Sequence, residues 1–450
     1  MTGRELVLSV FDGKKVERTP WVPFVGVHAG KILGKTATEM LTDGDNLFNG
    51  VIEAARLYNA DGIPVMFDLQ VEAEILGCEM AWAPKGPPSV KTHPLEDTDD
   101  VPCKCKVPKA TDGRLPMILK TMERVKNEIG GTTALYGLIC GPFTLASHLR
   151  GNNIFMDMYD DEEYVEKLLA YCIAVNKAMI QHYVGAGMDV IAVVDPLVSQ
   201  VSPDHFEQFL SAPFTEIFEY IKNTGARSSF FVCGNATRNI EVMCKTHPDC
   251  IAVDENVNMA EAKKLTDKYG IIIEGNLPLT TVMLHGNQQD NMKCVVNLID
   301  TLSIDHYIVS PGCDMPYDVP LENTIAASQA VRETEKVRDM IKNYQAVQEN
   351  IDVELPDYAN LKKPLIEVCT LDSETCAACT YMMGAANEIK AHFGDAIDVV
   401  EYKYMIKEDI ARFVKMGVAQ LPSIYINGVL AYSSIIPSKA EFIKKVEEVL

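Results

Sequence analysis

Cys233, in Phe-Phe-Val-Cys-Gly-Asn (230–235), and Cys313, in Ser-Pro-Gly-Cys-Asp-Met-Pro (310–316), each stand at the end of a short apolar run. Two more cysteines form the C-x-x-C pair Cys376-Ala-Ala-Cys379, where a loop hands over to a segment of helical character. Sulfur in such settings binds a soft metal or reacts as a thiolate. At a helix N-terminus, free amides and the macrodipole favour the Cys376 thiolate. A structural zinc there needs two further ligands nearby. The local candidates are His392 and Cys369, and neither has zinc-ribbon spacing.

The elements that must carry the first pair are apolar runs. Eight read as strands: Trp21–Gly26, Gly62–Phe67, Thr133–Ile139, Asp189–Val194, Ser229–Val232, Cys250–Val253, Ile271–Ile273 and Tyr307–Ser310. Most are followed by a helical segment, the alternation of a TIM (β/α)8 barrel. Such a barrel places its chemistry at the C-terminal strand ends. Those ends carry His28, Asp68, Asp195, Cys233, Asp254, Glu255, Asn276 and Cys313, a set of acid–base and metal-ligand types. His148 is a further candidate for the mouth. Between the second and third runs, Ala83–Pro116 is an irregular excursion expected to fold over one side of the mouth.

The last barrel helix is expected over Leu321–Gln348, which sets the barrel at 1–348 and a polar linker at 349–363. Over 364–450 the pattern restarts as βαβαββα, a small second α/β domain. The formal net charge of −22 excludes a general binder of nucleic acid or anionic membrane, since phosphate affinity needs basic surface. No apolar run approaches the roughly 20 residues that span a bilayer. The first residues lack the shape of a signal peptide, because Asp12 breaks the apolar run. Thirteen cysteines, an odd number and mostly inside apolar segments, read as reduced thiols of a cytoplasmic chain.

Glu17-Arg18-Thr19-Pro20, the His28-Ala29-Gly30-Lys31 loop, Phe67-Asp68 with Glu72-Ala73-Glu74 and Gly77, Gly141-Pro142-Phe143, Gly275-Asn276 and Pro320-Leu321-Glu322-Asn323 carry a resemblance. Over the barrel part the chain resembles the uroporphyrinogen decarboxylase superfamily. One branch of that superfamily decarboxylates tetrapyrroles and grips their acetates with arginines after the first strand. Here Val27 and Lys31 stand at two such positions. The other branch comprises zinc-dependent methyltransferases that move a methyl group between a corrinoid protein and a thiol such as coenzyme M. Its zinc motif is His-x-Cys after the fifth strand and a cysteine after the eighth. Cys233 and Cys313 match the two thiols, and Phe231 stands at the histidine position.

The resemblance therefore implies zinc at Cys233 and Cys313, completed from His28 and Glu74, with Asp68, Glu72 and Asp195 as catalytic candidates. Glu72 and Asp195 are alternative ligands, and Asp68 alternatively caps the segment after it. The chain has no Asp-x-His-x-x-Gly corrinoid signature, so a partner protein must bring the corrinoid. The second domain resembles thioredoxin and glutaredoxin proteins, which implies redox roles for Cys376 and Cys379. In that likeness Pro422 is a cis-proline facing the dithiol. The expected activity is corrinoid-to-thiol methyl transfer. The rivals are a uroporphyrinogen decarboxylase-like lyase and a non-catalytic corrinoid or tetrapyrrole binder. The expected partners are a corrinoid protein and a small thiol or methylated substrate, and homo-oligomerisation is left open.

Overall fold

In the computed structural model the chain forms two compact units, Met1–Ala346 and Val347–Leu450. The structure describes residues 1–346, 351–374 and 376–450. The end of the expected last barrel helix, the start of the expected linker and Thr375 lie outside the described residues.

Seven strands of the first unit form one parallel sheet in chain order: β1 (Gly62–Met66), β2 (Ala134–Cys140), β3 (Val190–Val194), β4 (Arg227–Val232), β5 (Cys250–Val253), β6 (Ile272–Leu277) and β7 (Tyr307–Pro311). Nearly every strand residue is buried, because helices cover one face and the interior fills the other. That two-sided burial is why these strands read as continuous apolar runs. The interior is packed with Phe24, Phe67, Tyr136, Val194, Phe231, Ile272 and Ile308. It is a core and not a pore, and the sheet curls into a TIM-like barrel around it.

The expected first strand is a correction. Trp21–Gly26 forms no strand, and only Trp21 makes an isolated bridge, to Val309. Pro20 and Pro23 flank this residue, and neither has an N–H to donate to a ladder. The segment is instead a seam that joins β7 to the start of β1. Val22 donates to the Val309 carbonyl (3.0 Å), and Val309 to that of Pro20 (3.0 Å). Asp61 and Gly62 donate to the Trp21 carbonyl (2.9 and 3.4 Å).

Asp61 clamps the seam. Its wholly buried carboxylate meets the Arg18 guanidinium at 2.7 Å on both oxygens, accepts the Trp21 amide at 2.9 Å and reaches Arg332 at 3.1 Å. The helix after β7 is also shorter than expected. It breaks at Glu333 into Leu321–Arg332 and Thr334–Ile341.

In the second unit, β8 (Leu365–Thr370) is parallel to β9 (Asp398–Lys403) and antiparallel to β10 (Ser423–Ile426), which pairs with β11 (Val429–Ser433). Helices Ala377–Phe393, Lys407–Met416 and Lys439–Glu447 complete it. Its core of Ile366, Val368, Met382, Ile389, Ile424 and Phe442 is separate from that of the barrel.

Candidate functional site

The strand ends bring Cys233 and Cys313 together. Their Cα atoms are 5.9 Å apart and the sulfurs are joined in a disulfide across 80 residues. Both residues are partly exposed and pack on the barrel interior. Each lies in a turn that its neighbours dictate. Gly234 has φ +91, and a Cβ there would lie 2.9 Å from Ser199 Oγ. Gly312 sits where a Cβ would come within 2.7 Å of the Glu255 amide nitrogen. The buried Asp254 and the partly buried Asp314 hold the two turns: Asp254 accepts the Gly234 amide, and Asp314 accepts that of Gly26 at 2.8 Å. Burial pushes Asp314 up to about 8.

Beside them lies an ionic cluster. Asp68 Oδ1 accepts the Gln70 amide (2.9 Å), and its Oδ2 lies 2.7 Å from Arg114 Nη2. Arg114 Nε also meets Glu74 at 2.6 Å, and its Nη1 donates to the Leu41 carbonyl. Arg114 comes from the end of the Ala83–Pro116 excursion, and Trp82 lies over its guanidinium at 5.0 Å. Lys85 of the same excursion pairs with Asp318 at 2.8 Å. The excursion thus fastens both to the Asp68 cluster and to the loop after β7. Nothing in the local sequence around Arg114 announces this, because its partner is distant in the chain.

The remaining expected residues are occupied. Glu72 is buried and accepts the Cys140 amide at 3.0 Å. Asp195 accepts the amides of Phe143 and Thr144 and the Thr144 hydroxyl. It thereby tethers the start of the helix Pro142–Arg150, although burial still pushes it up to about 7. His28 is buried in the wall. Its Nδ1 lies 3.0 Å from the Tyr317 carbonyl and its Nε2 2.6 Å from the Tyr58 hydroxyl, and burial pushes it down to about 4. His148 is also buried, at 4.0 Å from Cys140 Sγ.

Zinc is tested by this donor set. The two sulfurs are bonded to each other, both His28 nitrogens are engaged, and Glu74 is held by Arg114. Phe231, at the histidine position, is wholly buried against Phe24 (4.7 Å) and Phe67 (6.0 Å). Among the described residues no three His, Cys, Asp or Glu side chains are grouped to hold a metal ion. The residues as arranged do not fit zinc.

Glu72 gives a pH signature. Burial pushes it up to about 8 from the ordinary 4.5, so the folded state holds its proton more tightly than the unfolded chain does. Stability from this group is complete below the unfolded value and falls as pH rises towards about 8. Glu72→Gln is expected to lose less stability than the parent between about pH 5 and about pH 8, by on the order of a few kcal/mol. Urea unfolding at both pH values measures the difference. Parallel curves for the two proteins contradict the assignment.

In the second unit Cys376 is partly exposed at the N-cap of the helix Ala377–Phe393. Cys379 is fully buried, and its sulfur accepts the Leu371 amide at 3.3 Å. Burial raises that thiol well above its ordinary value. The Leu421–Pro422 bond preceding β10 is cis.

The chain matches the uroporphyrinogen decarboxylase (URO-D) family over residues 2–334. It is 27% identical over 329 residues to the methylcobamide:CoM methyltransferase MtbA of Methanosarcina acetivorans, covering 72% of this chain and 95% of that one. It is 24% identical over 282 residues to the uroporphyrinogen decarboxylase of Sulfurovum sp., covering 60% of this chain and 80% of the relative. In fold it is similar to a methyltransferase from Methanosarcina mazei, with a TM-score of 0.68 and 23% identity over 74% of this chain and 99% of that one.

Proposed function

The chain belongs to the uroporphyrinogen decarboxylase family, and from that membership we propose that its barrel transfers a methyl group between a corrinoid protein and a small thiol. The convergence of two sulfur side chains on one mouth carries this reading. Methyl transfer between cobalt and sulfur is the chemistry of a soft nucleophile, and the similarity to methylcobamide:CoM methyltransferases supports it. The acceptor sulfur attacks the methyl carbon in line, the cobalt–carbon bond breaks, and its electron pair stays on the cobalt of the partner's corrinoid. The acceptor reacts as its thiolate, having given its proton to solvent.

Asp68 and Asp195 act as positioning residues, the first through Arg114 and the second through the helix it tethers. The zinc-thiolate form of this chemistry is not carried further, because the donor set does not fit it. The decarboxylase alternative is disfavoured by charge. Arg114 is engaged by Asp68 and Glu74, and Lys31 Nζ by the carbonyls of Asp318 and Val319. A polycarboxylate would find neither cation available.

Full-length protein kept reduced and without oxygen is expected to consume coenzyme M and release cob(I)alamin from methylcobalamin, followed by absorbance. Turnover of uroporphyrinogen without corrinoid overturns the reading in favour of the lyase.

For the second unit we propose a thioredoxin-like dithiol in which Cys376 attacks and Cys379 resolves. The partial exposure of Cys376 and the burial of Cys379 support that order. Cys379→Ser is expected to accumulate a mixed disulfide with a small disulfide such as oxidised glutathione. Cys376→Ser is expected not to, and equal trapping in both contradicts the order.

A further inference from the structure

We propose that Cys233 and Cys313 are a two-electron thiol–disulfide redox site at the barrel mouth, reduced by dithiols and opened by that reduction for methyl transfer. This goes beyond the methyl-transfer reading and rests on it only for the final clause.

The geometry is that of a pair that opens and closes without moving the chain. The strands that precede the two cysteines, β4 and β7, are held in place relative to each other through the intervening β5 and β6, whose ladders are continuous. The turn at Gly234 is held by Asp254, and that at Gly312 by the Leu277 carbonyl at 3.1 Å. The Met315 amide, two residues after Cys313, is bonded to the Phe24 carbonyl at 3.0 Å. None of these bonds uses sulfur, so the two thiols of the reduced form stay adjacent.

The disulfide is therefore not what keeps the strands together. Among the described residues it is also the one disulfide, in a chain of thirteen cysteines. In a reducing compartment a disulfide is more often catalytic or redox-sensing than a structural crosslink, and an exposed one is the more readily reduced. The partial exposure of both residues admits an attacking thiolate.

The exchange balances as follows. A thiolate of the incoming dithiol attacks one sulfur of the Cys233–Cys313 bond. That bond breaks, and the other cysteine leaves as a thiolate and takes a proton. The second thiol of the reductant then attacks the mixed disulfide, releasing the first cysteine. The mouth gains two electrons and two protons, and the reductant becomes a cyclic disulfide. Dithiothreitol is such a reductant, and Cys376 and Cys379 belong to the same chemical class. In the oxidised form neither mouth sulfur is a nucleophile.

The test uses the full chain, without oxygen, in mixtures of reduced and oxidised glutathione, with acid quench, alkylation and mass spectrometry of the two peptides. Cys233 and Cys313 are expected to pass together between doubly alkylated and disulfide-linked, and dithiothreitol is expected to restore both thiols with the circular dichroism unchanged. In Cys233→Ser, Cys313 is expected to carry glutathione instead. Three results overturn the proposal: thiols that alkylate equally at every ratio, thiols protected by zinc until a chelator is added, or a disulfide that dithiothreitol opens only in denaturant. Methyl transfer from methylcobalamin is measured on the same samples, with activity in the reduced form alone as the expected result. Equal activity in both forms overturns the gating. Redox cycling with no methyl transfer in either form upholds the redox site and removes the methyl-transfer reading.

Discussion

Arg114→Met is expected to destabilise the barrel by about 3–5 kcal/mol, because it leaves a buried charge without its counter-ion. Asp68 has no solvent-exposed side-chain surface, and its Oδ2 faces Arg114 at 2.7 Å. Methionine fills the volume of the arginine stem under Trp82 but brings no charge. Glu74 is about a third exposed and hydrates readily, so the loss is carried by Asp68. Adding Asp68→Asn to Arg114→Met is expected to recover much of the loss, since the second change removes the charge the first one stranded. Equilibrium unfolding of the two single variants and the double variant closes the cycle. Additive losses contradict the pairing.

Asp61→Ala is expected to be comparably damaging, by about 3–5 kcal/mol, for a different reason. One carboxylate there serves Arg18, Arg332 and the Trp21 amide at once. Its removal strands two guanidinium groups and orphans a buried N–H at the place where the barrel lacks a ladder. Asp61→Asn keeps the acceptor for Trp21 and loses the charge. It is expected to fall between the parent and the alanine variant in denaturation midpoint. An alanine variant within about 0.5 kcal/mol of the parent, the range of ordinary surface changes, rules out the clamp.

The strands of the sheet were legible because a strand buried on both faces is a continuous apolar run. The run at Trp21–Gly26 has the same composition, and Pro20 and Pro23 remove two donors close together there, where β1 lacks one at Pro64. Cys233 and Cys313 were legible as strand-end residues beside glycine, and the topology brought them together. Their bonding was not, since a strand-end position says where a sulfur is and not what it meets. His28 shows the same limit. Its place after an apolar run is compatible with a ligand, but its ring is turned into the wall between Tyr58 and Tyr317. Arg114 had no local signal at all, because an ion pair across the chain leaves no periodicity to read.

The proline-flanked seam sets where the barrel breathes. Neighbouring strands such as β2 and β3 are matched at five positions along a ladder, whereas the ends of the sheet meet through one bridge, a few backbone bonds and the Asp61 clamp. Local opening follows the weakest contiguous set of contacts. The amides of Val22 and Gly62 should therefore exchange with solvent ahead of those in β3, by a fluctuation that leaves the other ladders intact. The Gly26 amide, held by the Asp314 carboxylate and not by a ladder, should follow them, which places the first movement of the wall beside Cys313.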